Sequence, residues 1–354
     1  MISVLVVDDS AFMRKAISMM LERDPGVTVV DTARDGKQAI EKTRDLQPDV
    51  VTMDIEMPRL DGISALKRIM DEMPRPVLMI SSLTKEGADA TVEAMEAGAI
   101  GFIPKQHSRV SLEITEIEHD LIEKIKAAAR SNVRAMRRRR RSSAATARRS
   151  SSSFSFPRAR MLAIGVSTGG PFALQQLIPA LPADFPVPVA VVQHMPPRFT
   201  RSLAERLNTL SPLDVAEAEP GMPLEAGRVL IAPGGHHLTF RRGAQTPLAE
   251  TPDEPADTLH KPSVDVMFES ACRFFHGRVL GLVMTGMGKD GLEGARLIKQ
   301  KGGRVIAQDE ATSVVYGMPR AVAEADLTDA IFPLDALADS LVQALGRNAL
   351  SSRA

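Results

Sequence analysis

The sequence predicts two doubly wound α/β domains, each a parallel sheet covered by helices on both faces, joined by an arginine- and serine-rich linker. Three observations predict this. Short β-branched runs alternate with amphipathic helical patterns in both halves of the chain. The apolar runs are continuous, as expected of strands buried on both faces. Between the halves, residues 131–160 hold ten arginines, no acid and few large apolar side chains, so ordering them would cost more entropy than burial returns.

Taken in order, SVLVVDD (3–9), VTVVDTA (27–33), DVVTMDI (49–55), PVLMISS (76–82) and IGFIPK (100–105) are the strands of the first domain. Helical patterns separate them at 12–24, 37–46, 63–73 and 88–99, and a closing helix starts near Ser108. In the second domain MLAIGVS (161–167), PVPVAVVQHM (186–195), RVLIAPGG (228–235), RVLGLVMTG (278–286) and GRVIAQD (303–309) read as five buried strands. HLTFRRGAQTPLAETPD (237–253) reads as a hairpin with a proline-rich excursion. The expected limits are 1–128 and 160–348 for the domains, 129–159 for the linker and 349–354 for a tail.

At 354 residues, 44% hydrophobic and 25% charged, the composition excludes a wholly disordered or fibrous chain. One cysteine, Cys272, forms no internal disulfide and fits a reducing, cytoplasmic setting. The opening MISVLVVDDS lacks the pattern of a secretory signal, and no stretch reaches the ~20 apolar residues of a membrane span. The 44 basic and 44 acidic residues cancel, but without the ten linker arginines the flanking regions are distinctly acidic. The linker's charge suits a solvated tether, or contact with an anionic surface. With no aromatic residues interleaved in the arginine run from Arg134 to Arg149 and no recognition helix, nucleic acid is not expected as a partner.

Ligands of open parallel sheets bind beyond the carboxyl ends of the strands. In the first domain those ends carry Asp8 and Asp9, Asp54, Ser81 and Ser82, and Lys105. Converging carboxylates repel, and a hard divalent ion such as Mg2+ relieves that repulsion through oxygen ligands. A lysine and a hydroxyl opposite them suit a phosphoryl group. Each carboxylate alone could simply cap the helix after it; the four strand ends together argue otherwise.

VVDDS, Asp54 followed by MPRLDG, ISS and GAIGFIPK resemble the response-regulator receiver domain over residues 1–128. The resemblance implies a flavodoxin-like fold. It also implies that Asp54 accepts a phosphoryl group from a histidine kinase, that Asp8, Asp9 and Asp54 hold Mg2+, and that Ser81 and Lys105 read the phosphorylated state. The sequence departs from the family where Lys105 is followed by Gln106 rather than proline.

The second domain opens with GVSTGGP, in which Gly165, Ser167 and Gly169 form G-x-S-x-G at a strand-to-helix turn. Glycine on both sides lets the chain turn sharply and presents the Ser167 hydroxyl near helix N–H groups. Neither G-x-G-x-x-G nor a P-loop lysine is present, which disfavours a dinucleotide enzyme. A serine nucleophile needs a base. His194 follows the longest apolar strand and is preferred over His236 and His237; His107, His119, His260 and His276 have helical or loop contexts typical of surface histidines. For the orienting carboxylate Asp290 lies in a glycine-rich turn, with Asp265 and Asp309 as competitors.

IGVSTGGP, VVQHMPPRFT, APGGHH, KPSVDVMF, VMTGMGKDG and QDEATSVVYGMPR resemble, in order, the blocks of the chemotaxis protein-glutamate methylesterases, the CheB family, over residues 160–347. The resemblance implies a Rossmann-like catalytic domain with Ser167 as nucleophile, His194 as general base and acid, and Asp290 orienting the imidazole. Thr168, Gly169 and Met287 then line the oxyanion and substrate pocket. It further implies hydrolysis of glutamate methyl esters on chemoreceptors, deamidation of receptor glutamines, activation by phosphorylation of an obstructing receiver, and no cofactor for the hydrolysis itself. A monomer is expected. The rival reading is a receiver coupled to a non-catalytic module that binds receptors or nucleic acid.

Overall fold

The computed structural model describes residues 1–105, 111–131, 154–244 and 246–345, with the backbone alone for 111–117. The Lys105–Gln106 junction, His107, the start of the closing helix near Ser108, the arginine run and the tail from 349 lie outside the described residues. The chain divides into two compact units at Thr146/Ala147.

In the first unit β1 (Ile2–Val7), β2 (Val27–Ala33), β3 (Val50–Asp54), β4 (Val77–Ser82) and β5 (Gly101–Lys105) form one parallel sheet in the order β2-β1-β3-β4-β5. The helices are α1 (Ala11–Leu21), α2 (Gly36–Leu46), α3 (Gly62–Glu72), α4 (Lys85–Ala97) and α5 (Ser111–Arg130). Side chains of Ser10, Asp35, Asp61 and Thr84 cap the first four, each accepting an N–H that the helix cannot satisfy internally. Every residue of β3 is buried, as a central parallel strand requires. Gly62 packs directly on the end of β3, where a Cβ would come within 2.0 Å of the Asp54 carbonyl oxygen.

The second unit carries a seven-stranded sheet, parallel in every pairing, ordered β14-β13-β12-β6-β7-β9-β8. Its strands are β6 (Met161–Val166), β7 (Val189–Gln193), β8 (Asp214–Glu217), β9 (Arg228–Ile231), β12 (Val279–Val283), β13 (Arg304–Gln308) and β14 (Ala330–Phe332). β10 (Thr239–Arg242) and β11 (Pro247–Glu250) form the expected antiparallel hairpin. The sequence suggests five sheet strands. The two further ones, β8 and β14, are edge strands of four and three residues with partly exposed faces, too short to show an apolar run. Around the sheet lie α6 (Gly170–Leu177), α7 (Phe199–Leu210), α8 (Val264–Phe274), α9 (Leu292–Gln300), α10 (Met318–Glu324) and α11 (Leu334–Leu345). Phe154 meets Phe332 edge to face, and the Phe156 N–H bonds the Ala344 carbonyl, so packing in this unit begins before β6. Among the described residues no helix is long and apolar enough to cross a membrane.

Candidate active site

Strand order in the first unit brings β1, β3 and β5 residues to one sheet end. Carboxylate oxygens of Asp8, Asp9 and Asp54 lie within 4.8 Å of one another. Lys105 Nζ stands 2.7 Å from Asp54 Oδ2 and 3.2 Å from Asp8 Oδ2. Burial raises the Asp54 carboxyl to about 6 against the pull of Lys105, with the charge of Asp8 adding to the rise. Lys105 is held above its ordinary range because Asp54 and Asp8 outweigh its own burial. Asp8 Oδ2 is buried, and the Lys105 ammonium is the group facing it. Three carboxylates offering only oxygens, with one ammonium against them, fit a hard divalent cation. Ser81 is buried at the end of β4, its hydroxyl donating to the Gly87 carbonyl at 3.0 Å.

In the second unit three strand ends converge. β6 pairs with β7 through Val166 and Gln193, so Ser167 and His194 are the next residues on neighbouring strands. β12 flanks β6 on the other side, and the Ser167 N–H donates to Thr285 O at 3.0 Å. His194 Nε2 lies 2.7 Å from Asp290 Oδ2, with both side chains about nine-tenths buried. The other ring nitrogen, Nδ1, is buried and makes no hydrogen bond. Ser167 is half-buried on the turn that follows β6, the strand next to β7, and its hydroxyl makes no hydrogen bond to Nδ1.

The motif's two glycines have separate reasons. Gly169, at φ +78°, adopts the left-handed conformation that starts α6, and a Cβ there would strike Val314 at 2.5 Å. Gly165 lies inside β6, where a Cβ would meet Val264 Cγ1 at 2.3 Å. Its role is to admit the N-terminus of α8 against the strand, which sets where Asp290 is held.

Asp290 is anchored on that N-terminus. It accepts from Ser263 Oγ at 3.0 Å, Val264 N at 2.7 Å and Asp265 N at 3.0 Å, besides His194. Burial alone would raise its carboxyl, but His194 and these N–H groups hold it well below the usual carboxylate range. Asp265 returns the arrangement, accepting from Gly294 N of α9 at 2.7 Å. Its own carboxyl is pushed up to about 6 by burial, with the neighbouring Asp290 charge adding to the rise. Thus the acid before α9 caps α8, and the acid within α8 supports α9.

The competing residues occupy other roles. His237 is fully buried, with Pro255 O 3.1 Å from Nε2 and Ser263 N 3.3 Å from Nδ1. Nδ1 receives an N–H, so the ring is neutral with its proton on Nε2. Burial lowers its pKa, consistent with that state. His236 pairs with Asp253 at 2.8 Å. Asp309 holds the Thr312 backbone N–H at 2.9 Å. Thr168 and Met287 are half-buried on the loops after β6 and β12. His260, assigned to the surface by its local context, instead stacks on His194 with ring centroids 4.1 Å apart and planes at 27°. No local pattern announces that contact, because its partner lies far away in the chain.

Both units match known families. Residues 162–341 match the family model described as CheB methylesterase, and residues 4–115 match the response regulator receiver domain. The chain is similar to the protein-glutamate methylesterase/protein-glutamine glutaminase 1 of Oleidesulfovibrio alaskensis, 49% identical over 98% of this chain and all of that protein. A relative of the same description, numbered 2, from Nitratidesulfovibrio vulgaris is 50% identical over 98% of this chain and all of its own. The crystal structure of the Thermotoga maritima CheB methylesterase catalytic domain is 40% identical, covering 52% of this chain and 98% of that one with a TM-score of 0.51.

Proposed function

The chain belongs to the CheB methylesterase family, with a response-regulator receiver domain in front, and on that premise we propose that it is a phosphorylation-activated serine hydrolase of chemosensory adaptation. It removes methyl esters from glutamate side chains of chemoreceptors, releasing methanol, and deamidates receptor glutamines, releasing ammonia. The observation that carries the reading is the His194–Asp290 pair at 2.7 Å, standing one strand away from a serine on a glycine turn.

An ionised carboxylate only accepts, so the hydrogen bond to Asp290 assigns the ring proton to Nε2 and leaves the lone pair on Nδ1. Nδ1 of His194 takes the Ser167 proton as the hydroxyl oxygen attacks the ester carbonyl. The positive imidazolium is stabilised by Asp290, whose depressed pKa keeps it charged throughout. His194 then gives the proton to the departing methoxide, which leaves as methanol, or to the departing amide nitrogen of a glutamine, which leaves as ammonia. A water deprotonated by the same ring hydrolyses the acyl-serine. The oxyanion lies against the turn at Thr168 and Gly169, with Met287 lining the pocket from the β12 loop.

In the receiver Asp54 accepts the phosphoryl group from a histidine kinase of the pathway. Asp8, Asp9 and Asp54 would hold Mg2+, which supplies charge neutralisation for the transferred phosphoryl group. Lys105 and Ser81 read the phosphorylated state. The assigned domain limits are 1–128 and 160–348, with a linker suited to anionic surfaces, in a cytoplasmic monomer.

The test is methanol release from methylated chemoreceptor membranes. Wild type releases methanol faster with a small phosphodonor, Asp54→Asn loses that increment, and Ser167→Ala releases none. Methanol release by Ser167→Ala at the wild-type rate would refute the assignment; unchanged output in the cell with Ser167→Ala would favour the binding-module rival.

A further inference from the structure

Two buried polar side chains lie directly beneath the nucleophile turn and are unused by the chemistry above. Thr285, 1% exposed at the end of β12, has its hydroxyl 2.9 Å from Thr168 O and 3.3 Å from Val315 O, and receives the Val315 N–H at 3.0 Å. A hydroxyl has one proton, and the shorter contact identifies Thr168 O as its acceptor. Gln193, 2% exposed at the end of β7, directs Nε2 to Ser167 O at 3.0 Å and to His194 O at 3.3 Å. Both neighbours are acceptors, which fixes the orientation of the amide.

These contacts determine where the turn's N–H groups point. In a planar trans peptide the carbonyl and the following N–H point in opposite directions. Pinning Ser167 O inward on Gln193 therefore turns the Thr168 N–H outward. Pinning Thr168 O inward on Thr285 does the same for the Gly169 N–H. Ser167 N is already committed to Thr285 O and Gly170 N to Ser167 O, whereas Thr168 N and Gly169 N have no backbone partner among the described residues. Glycines permit the close approach: a Cβ at Gly170 would meet Gln193 Oε1 at 1.9 Å, and one at Gly169 would meet Thr285 Oγ1 at 3.2 Å.

We propose that Thr285 and Gln193 are positioning residues that each lock one peptide plane, so that the Thr168 and Gly169 N–H groups form a preorganised oxyanion hole. The proposal rests on the reading of Ser167 as nucleophile. Loss of one oxyanion donor costs roughly 10²- to 10³-fold in rate, and misaiming one costs part of that.

The experiment compares the full chain with Thr285→Val, Thr285→Ser, Gln193→Leu and Ser167→Ala, all with the same phosphodonor. Methanol release from methylated chemoreceptor membranes gives kcat and KM, and the rate of fluorophosphonate labelling of Ser167 gives a second readout. Thr285→Val, which keeps the side-chain volume and removes the hydroxyl, should lower kcat about 10- to 100-fold with KM within about twofold. Labelling should slow in parallel, and Thr285→Ser should regain most of the loss. Gln193→Leu should lower kcat similarly and carries the test should Thr285→Val fail to fold. Wild-type kcat in a folded Thr285→Val or Gln193→Leu, or equal impairment by valine and serine at 285, overturns the positioning role while Ser167→Ala is inactive. An active Ser167→Ala overturns the nucleophile reading, and this proposal with it.

Discussion

Replacing Asp290 by asparagine changes one oxygen to an NH2 and tests the orientation of the imidazole. The carboxylate now receives four donors: His194 Nε2 and Val264 N at Oδ2, Ser263 Oγ and Asp265 N at Oδ1. An amide offers one acceptor atom, so its NH2 must face one of these pairs. Facing Oδ2's partners, it turns a donor towards the Val264 N–H and towards Nε2. The ring then places its proton on Nδ1, the nitrogen needed as the base. Loss of the correct tautomer in a serine hydrolase triad costs about 10⁴-fold in kcat. One orphaned N–H in a buried site costs about 1–3 kcal/mol, less than the ~5–15 kcal/mol stability of an ordinary domain, so the variant should still fold. The assay is methanol release from methylated receptors, with a thermal melt by circular dichroism run beside it. A folded Asp290→Asn enzyme retaining kcat within tenfold of wild type would refute the tautomer argument.

Three further outcomes are expected. Gly165→Ala should lower the melting temperature and kcat together, because a Cβ 2.3 Å from Val264 Cγ1 must displace α8 and the N–H groups holding Asp290; overpacking of this kind costs about 1–3 kcal/mol. His260→Ala should reduce kcat by roughly 2- to 10-fold and His260→Phe should restore part of it, since aromatic stacking contributes about 0.5–1.5 kcal/mol; failure of both steady-state measurements to move would show that the ring only packs. Asp265 holds its proton up to about 6 in the native state and releases it near 3.8 when unfolded, so its destabilising contribution is absent below pH 4 and develops fully as pH rises through 6. Urea melts at pH 4 and 7 should therefore show Asp265→Asn gaining stability relative to wild type at the higher pH, and the reverse order would contradict this.

Parallel sheets place chemistry at strand ends, which is why Asp8, Asp54, Lys105, Ser167 and His194 could all be read from apolar runs and the residues that end them. The remainder was hidden for physical reasons. β8 and β14 are short edge strands, so burial leaves no repeating signature in them. His260 acts through a ring contact between loops distant in sequence. Thr285 and Gln193 sit at strand ends as Ser167 does, but nothing in a linear pattern separates a polar group facing inward from one facing the cleft. Gly165 was visible as part of a turn motif, while its reason, the approach of Val264, belongs to tertiary packing.

The mutual capping of α8 and α9 has a practical corollary for anyone wishing to capture this enzyme with its receptor bound. Asp290 is a joint of the scaffold as well as a reagent, so dead variants made there bring a loosened framework with them. Among the described residues the hydroxyl of Ser167 holds no neighbouring element. Removing it alone should leave an intact but inert mould of the cleft, suited to trapping an uncleaved ester.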